Sequence, residues 1–304
     1  MMSRMQTERP SPITLTASTV QGWPEIEPNV RSFEAAAAAV DGDLIVTDGS
    51  GLPAPSPSSL GPRTTWISEP GRSVFQLRLS AYRAAAAPIV GVTEDHCFMP
   101  ADWARRNLDA HAAHPEAAAV GGSVVNGATD SLMDWASFFV VQSAIAAPIP
   151  SGPARRIAAA VSVTYKRAAL EHLDQYEGLG AMDGLHQRAI AASGKTLMAD
   201  DSIRVVHDQS LGFAATVAIH FHAGRTFTGF RRQHMDVRQA IRLLGTPVVP
   251  IARYIRTVRL LAAKGYGPQL IRATPAIWLL LVTQTVGQVT GYLTGPGDSP
   301  HKVM

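Results

Sequence analysis

The chain has a single cysteine, Cys97, in 304 residues. A lone thiol excludes an internal disulfide framework and fits a reducing compartment. Charge is scarce: Asp, Glu, Lys and Arg make up 17% of the sequence, against roughly 25% in an ordinary soluble domain. Aromatic residues reach only 7%, while hydrophobic residues total 46%, so the core must be built mainly of Ala, Val, Leu and Ile. The stretch from Met1 to Pro12 lacks the apolar run of a secretory signal, which predicts a cytoplasmic location for the bulk of the chain. No internal repeat is apparent, which excludes a solenoid. The length suits one large α/β domain with an appendage, or two smaller domains.

The net charge of +3 conceals a sharp division. Residues 1–224 carry 16 Lys/Arg against 22 Asp/Glu, whereas residues 225–272 carry 10 Lys/Arg against Asp236 alone. This asymmetry predicts an acidic catalytic body, residues 1–224, and a basic surface-seeking segment, residues 225–304. The arginines lack interleaved aromatic platforms and the body is acidic, so nucleic acid is not the expected partner.

Through the first 210 residues, short β-branched runs alternate with Ala-rich helical stretches. Strands are predicted at Ile13–Ala17, Asp43–Thr47, Thr64–Ser68, Pro88–Thr93, Ala117–Val125, Ala159–Tyr165 and Ser202–His207. Helices are predicted at Val30–Val40, Ser73–Ala86, Ala101–His114, Ser131–Ala146 and Asp183–Ser193. Such alternation specifies an α/β fold with a mostly parallel sheet and helices on both faces. Ligands of such sheets bind beyond the carboxyl ends of the strands. Polar clusters follow three of these ends: Asp48-Gly49-Ser50, Glu94-Asp95-His96 and His207-Asp208.

Each cluster has a plain and a chemical reading. Asp48-Gly49-Ser50 is either a turn or an acceptor beside backbone that a nucleotide can approach closely. Glu94 and Asp95 place two carboxylates side by side, which resist ionising together. They either cap the helix that follows or hold a divalent cation together with substrate phosphate oxygens. His220 and His222 stand two apart on a predicted helix and therefore face apart, a poor metal pair. Cys97 reads as a small buried filler.

Gly71-Arg72 with Arg78, then Pro88–Asp95, then Pro100 and Trp103, resemble the middle of the family 2 glycosyltransferases of the GT-A fold. Val46-Thr47-Asp48-Gly49-Ser50 and Val161–Leu170 extend the resemblance over about residues 13–210. It implies a GT-A-like sheet flanked by helices, a nucleotide-sugar donor, and Mn²⁺ or Mg²⁺ as cofactor. Ser18, Asp48, Arg78 and Glu94 would then contact the donor, while Asp95, His96 and His207 would hold the metal. Where the family has a first acid, this chain has Thr47, and its acidic triplet reads Glu-Asp-His.

Inverting sugar transfer needs a carboxylate that takes the acceptor's proton. The family supplies it at the start of a helix in the acceptor half. In Gly180–Arg188 the matching residue is Asp183, which also suits a helix N-cap; His186 is the alternative base. A nucleotidyltransferase would use similar sheet and metal logic but wants a Gly-rich basic loop where this chain has Ser18–Trp23. A catalytically impaired relative acting as a binding subunit is the other competing reading.

From Ala273 to Gly297 there is no charged residue. Pro275–Leu293 would form a helix about 28 Å long, near the bilayer's hydrocarbon thickness. Its second half is diluted by Thr, Gln and Gly, so an interfacial helix is favoured over a span. Together with the basic block, it predicts a membrane-associating helical appendage on the cytoplasmic side, with a lipid-linked or glycan acceptor nearby. An arm packed on the domain or on a second subunit of a homodimer is the competing reading.

Overall fold

The computed structural model describes residues 10–171, 183–232 and 248–303. One nine-stranded sheet organises the body. Its first half is parallel: β3 (Thr64–Ser68), β2 (Asp43–Asp48), β1 (Ile13–Thr19) and β4 (Ile89–Glu94) lie in that order. Next comes β8 (Val163–Lys166), antiparallel to β4 and to β6 (Ala117–Asn126). Then β9 (Thr196–His207) runs parallel to β6, and the short β5 (Cys97–Phe98) and β7 (Gly152–Ala154) pair antiparallel with β9. Every residue of β1 is buried, as expected for a central strand covered on both faces.

Helices fill the connections, and several begin for a readable reason. α1 (Trp23–Ala38) starts earlier than the predicted Val30, because Pro24 occupies the first turn, where its missing N–H costs nothing. It buries Ile26, Val30 and Phe33, spaced to form one face. α2 (Val74–Ala84) and α4 (Leu132–Gln142) open with reciprocal capping boxes, Ser73 with Gln76 and Ser131 with Asp134. A cap of this type contributes about 1 kcal/mol. α3 (Trp103–Ala113) sends Trp103 beneath Gly91 of β4. α5 (Asp183–Ala192) begins at the residue the sequence placed at a helix start.

Two strands differ instructively from expectation. The segment predicted as strand from Ala159 becomes strand only at Val163. The preceding residues instead cross the carboxyl edge, where Thr93 Oγ1 donates to Val161 O at 3.1 Å. β9 starts six residues earlier than predicted and carries an irregularity opposite Gly122 and Ser123.

The C-terminal helices form a layer against the body. They are α6 (Phe213–Arg232), α7 (Val249–Ala262) and α8 (Gly267–Thr294). The expected boundary at 224/225 falls inside α6. α6 and α8 touch backbone to backbone: a Cβ on Gly287 would lie 2.1 Å from Phe221 O, and one on Gly224 2.1 Å from Gln284 O. Thr228 Oγ1 donates across to Gln288 O at 2.9 Å. The inner face of α8, including Ile277, Leu280 and Leu281, joins the main core with Phe138 and Phe139 of α4. Among the described residues, α8 is the one helix long and apolar enough to cross a membrane. Its outer face exposes Ile271, Leu279, Val282, Val286 and Leu293.

Candidate active site

Parallel pairing brings three predicted clusters to one edge. Thr19 of β1 is in register with Asp48 of β2, and Ser18 with Glu94 of β4. Asp48 and Glu94 therefore end strands that flank β1, roughly 10 Å apart by strand spacing. Asp48 is buried and its Oδ1 accepts from Ser50 N at 2.8 Å. Ser18 Oγ lies 2.9 Å from Thr47 Oγ1, so the threonine closes a buried hydroxyl pair where an acid would have needed a counter-charge. Gly49 is required by the chain itself, because a Cβ there would meet Arg72 O at 2.7 Å.

After Glu94 the chain turns into β5, and Cys97 pairs with His207 at the end of β9. That short ladder carries His96 against His207, with Asp208 N bonded to His96 O at 2.9 Å. Glu94, His96 and His207 each offer one ligand atom, all within 4.8 Å of one another. His96 Nε2 lies 3.0 Å from His207 Nε2 and 3.4 Å from Glu94 Oε2, while His207 Nε2 lies 3.7 Å from the same oxygen. Ligands bonded at about 2.1 Å stand roughly 3.0 to 3.4 Å apart in one coordination shell. The arrangement is therefore close to a ready three-ligand face.

Asp95 stands behind this face. Its Oδ1 is 2.9 Å from His96 Nδ1, and Gln21 Nε2 donates to its Oδ2 at 3.3 Å. A carboxylate on one ring nitrogen fixes the tautomer and aims the other nitrogen outward, as behind many metal-bound histidines. The residues expected to hold the metal were Asp95, His96 and His207; the converging ligand atoms come from His96, His207 and Glu94.

The electrostatics centre on one positive charge. Burial opposes charging of His96, but the hydrogen bonds it donates to Asp95 and Glu94 win and raise its pKa to about 10. Glu94 also resists burial, and His96, His207 and Arg78 hold it down to about 2. Burial, then the charge on His96, pushes His207 to about 3. The positive charge on His96 thus sits where Glu94 and neutral His207 converge, and a divalent cation held by the same three atoms would take the place of the His96 Nε2 proton. Two imidazole nitrogens and one carboxylate oxygen fit Mn²⁺ or a neighbouring transition ion better than Mg²⁺. Asn126, in register with His207, keeps a buried Nδ2 without a partner among the described residues.

Arg78 is buried on α2 and its charge reaches Glu94. Asp183 is the first residue of α5, and its side chain lies outside the described residues. His186 is buried, its ring 5.1 Å from that of Tyr165. His220 and His222 bond apart, to Ser137 and Ser299. Cys97 is fully buried, and burial raises its thiol pKa. Sequence reasoning missed Gln21 and Phe138, whose ring lies 6.4 Å from His207. Gln21 falls in Ser18–Trp23, the loop that lacks a nucleotidyltransferase's Gly-rich basic sequence, and nothing in its residue type signalled a partner for Asp95.

An α/β sheet of this order, flanked by helices, is shared with solved glycosyltransferases of the GT-A fold. The mannosyltransferase PcManGT from Pyrobaculum calidifontis, solved with GDP-Man and Mn²⁺, superposes with a TM-score of 0.57 at 15% identity. That match covers 92% of this chain and 88% of PcManGT. TarS 1–349 from S. aureus, solved with UDP-GlcNAc, superposes with a TM-score of 0.50 at 12% identity, over 94% of this chain and 90% of TarS. No protein-family model and no curated protein sequence matches the chain.

Proposed function

We propose that this protein is a glycosyltransferase that moves a sugar from a nucleotide donor to a lipid-linked or polysaccharide acceptor, with inversion, at the cytoplasmic face of a membrane. The observation that carries this reading is the meeting of Glu94, His96 and His207 at the sheet edge shared with Asp48. PcManGT with GDP-Man and TarS with UDP-GlcNAc support a nucleotide-sugar donor for a chain of this fold.

In this mechanism Asp48 and Ser18 line the nucleoside end of the cleft. Glu94, His96 and His207 would hold a divalent cation, Mn²⁺ in preference to Mg²⁺, with Asp95 aiming His96. When bound, that ion supplies charge neutralisation for the departing diphosphate. Arg78 adds positive potential to the same region. Asp183, opening α5, takes the proton of the acceptor hydroxyl as the sugar transfers, an interaction realised mainly in the transition state.

The membrane location is supported by the outer surface of the helical layer. Val248, Ile251 and Ile255 beside α7, with Leu279, Val282 and Val286 on α8, are exposed. Exposed Arg259 and Arg272 accompany them. Apolar burial with basic residues at its rim suits an anionic interface. The inner face of α8 is committed to the protein core, which favours a helix resting on the bilayer over one crossing it.

Calorimetric titration of GDP- and UDP-sugars with and without Mn²⁺ tests the proposal. The expected result is donor binding that requires the ion and is lost in Asp48→Ala. Binding without any turnover on lipid-linked or glycan acceptors would favour the binding-subunit reading. No binding of any nucleotide sugar would overturn the proposal.

A further inference from the structure

Beyond the metal face, four arginines from the segment before β8, from α5 and from α7 lie within range of one another's charge. Arg156 belongs to the segment 155–162 between β7 and β8. Gln187 Nε2 donates to Ala158 O at 2.6 Å and ties α5, which carries Arg188, onto that segment. Ile157, fully buried against Gly121 of β6, anchors it from below. Arg253 and Arg256 stand nearly one turn apart on α7. Arg253 Nη2 reaches Val140 O at 3.4 Å, and its Nη1 bonds Gln284 Oε1. Val140 is two residues along α4 from Phe138, the ring beside His207.

The four charges form one group. Arg156 feels the charges of Arg256 and Arg188, and Arg253 feels those of Arg256 and Arg156. Among the described residues no carboxylate pairs with any of them: the arginine ion pairs there involve Arg31, Arg63, Arg72, Arg106 and Arg204. Burial first, then mutual repulsion, lowers Arg253 from the usual guanidinium value to about 10. Like charges collected from three elements, with no described acid beside them, favour an anion that joins them. Guanidinium forks match phosphate oxygens two at a time, and Arg156, Arg188 and Arg256 are exposed to receive them.

We propose that Arg156, Arg188, Arg253 and Arg256 bind a phosphate or diphosphate group of the acceptor, making the acceptor an anionic phosphoester. This rests on the glycosyltransferase reading and narrows its acceptor class. Arg253 also braces α7 on α4, so it is the weaker choice for substitution. Arg156 and Arg256 are exposed and make no hydrogen bond within the described residues.

Inorganic pyrophosphate, titrated into the full-length protein in EDTA, is the probe. The expected result is saturable binding that weakens at least about tenfold in Arg156→Gln/Arg256→Gln and again in Arg188→Gln. Mn²⁺-dependent nucleotide-sugar affinity should remain at the wild-type value in these variants. Binding to neutral and phosphatidylglycerol vesicles is measured in parallel, to separate an acceptor phosphate from a lipid headgroup. Several outcomes would overturn the proposal: no pyrophosphate binding, equal affinity in the variants, or loss of nucleotide-sugar affinity with them, which would assign the arginines to the donor. A loss confined to anionic vesicles would assign them to the membrane surface instead. Arginine-dependent pyrophosphate binding in a protein that takes no nucleotide sugar would leave the anion site standing and sink the glycosyltransferase reading alone.

Discussion

The carboxyl edge of the sheet keeps one buried histidine charged, whereas the C-terminal helical layer buries its histidine neutral. At the edge, His96 lies between Asp95 and Glu94 and is held charged, its pKa raised to about 10 despite burial. In the layer, His220 of α6 meets the Ser137 hydroxyl, and burial with the nearby Arg253 lowers it to about 4. The first site spends carboxylates to keep a positive centre inside the protein; the second removes charge and closes on neutral contacts. The layer reaches its tightness through glycine, with α6 and α8 in backbone contact. Charge density that packing alone would eliminate thus survives at the edge, and such retained charge is what marks a functional site.

The comparison breaks first if the edge is merely structural. Removing His207 takes away one of three ligand atoms, so His207→Ala should weaken Mn²⁺ binding by more than about a hundredfold, read by calorimetry or electron paramagnetic resonance. Asp95→Asn keeps the hydrogen-bonding shape but removes the charge behind His96, and should cost about 10- to 100-fold. Circular dichroism should show both variants folded. Unchanged Mn²⁺ affinity in His207→Ala would mean that the cluster is a buried polar network and no metal face.

On the helical side the expected effect is on stability alone. Gly287→Ala places a methyl 2.1 Å from Phe221 O, and backbone cannot yield as a side-chain tip can. The helices must separate, at about 1–3 kcal/mol, seen as a melting point lower by a few degrees. Mn²⁺ affinity should be unaffected. Gly184→Ala is the control, since a Cβ there meets nothing within 4 Å. Equal melting points for Gly287→Ala and wild type would contradict the close packing of α6 on α8.

Much of the edge was legible because its residues follow apolar runs. β-branched strands ending at Asp48, Glu94 and His207 predict which end of the sheet carries chemistry, and the acid-imidazole triplet identifies where. The role of each member was less legible. Adjacent residues in a strand exit point to opposite sides, and only the Cys97–His207 pairing shows that Glu94 and His96 face His207 while Asp95 turns back to Gln21. The direction of β8 was hidden as well, because hydropathy is the same for parallel and antiparallel buried strands. In the layer, periodicity gave the helices, but Gly224 and Gly287 look like helix-weakening residues until their partner backbones are known. The arginines of α7 read as surface charge; their meeting with Arg156 and Arg188 depends on contacts far apart in sequence.

The smallest expected change in stability belongs to the outer face of α8. Val282 and Val286 are 47% and 52% exposed, one turn apart on the stripe that no described residue covers fully. Replacing both by serine removes little packing, so Val282→Ser/Val286→Ser should alter unfolding free energy by no more than about 0.5 kcal/mol per site. Attachment to vesicles containing phosphatidylglycerol should nevertheless weaken several-fold, because each valine gives up apolar area that the interface would bury. Salt separates the two contributions. Raising ionic strength shortens the Debye length and loosens the part held by Arg259 and Arg272, while the apolar part persists. Wild type should therefore be partly retained after a high-salt wash, and the double variant largely released. Wild-type protein that stays in solution with these vesicles at low salt would refute the membrane surface. Sedimentation as a dimer under the same conditions would assign the stripe to a second copy of the chain.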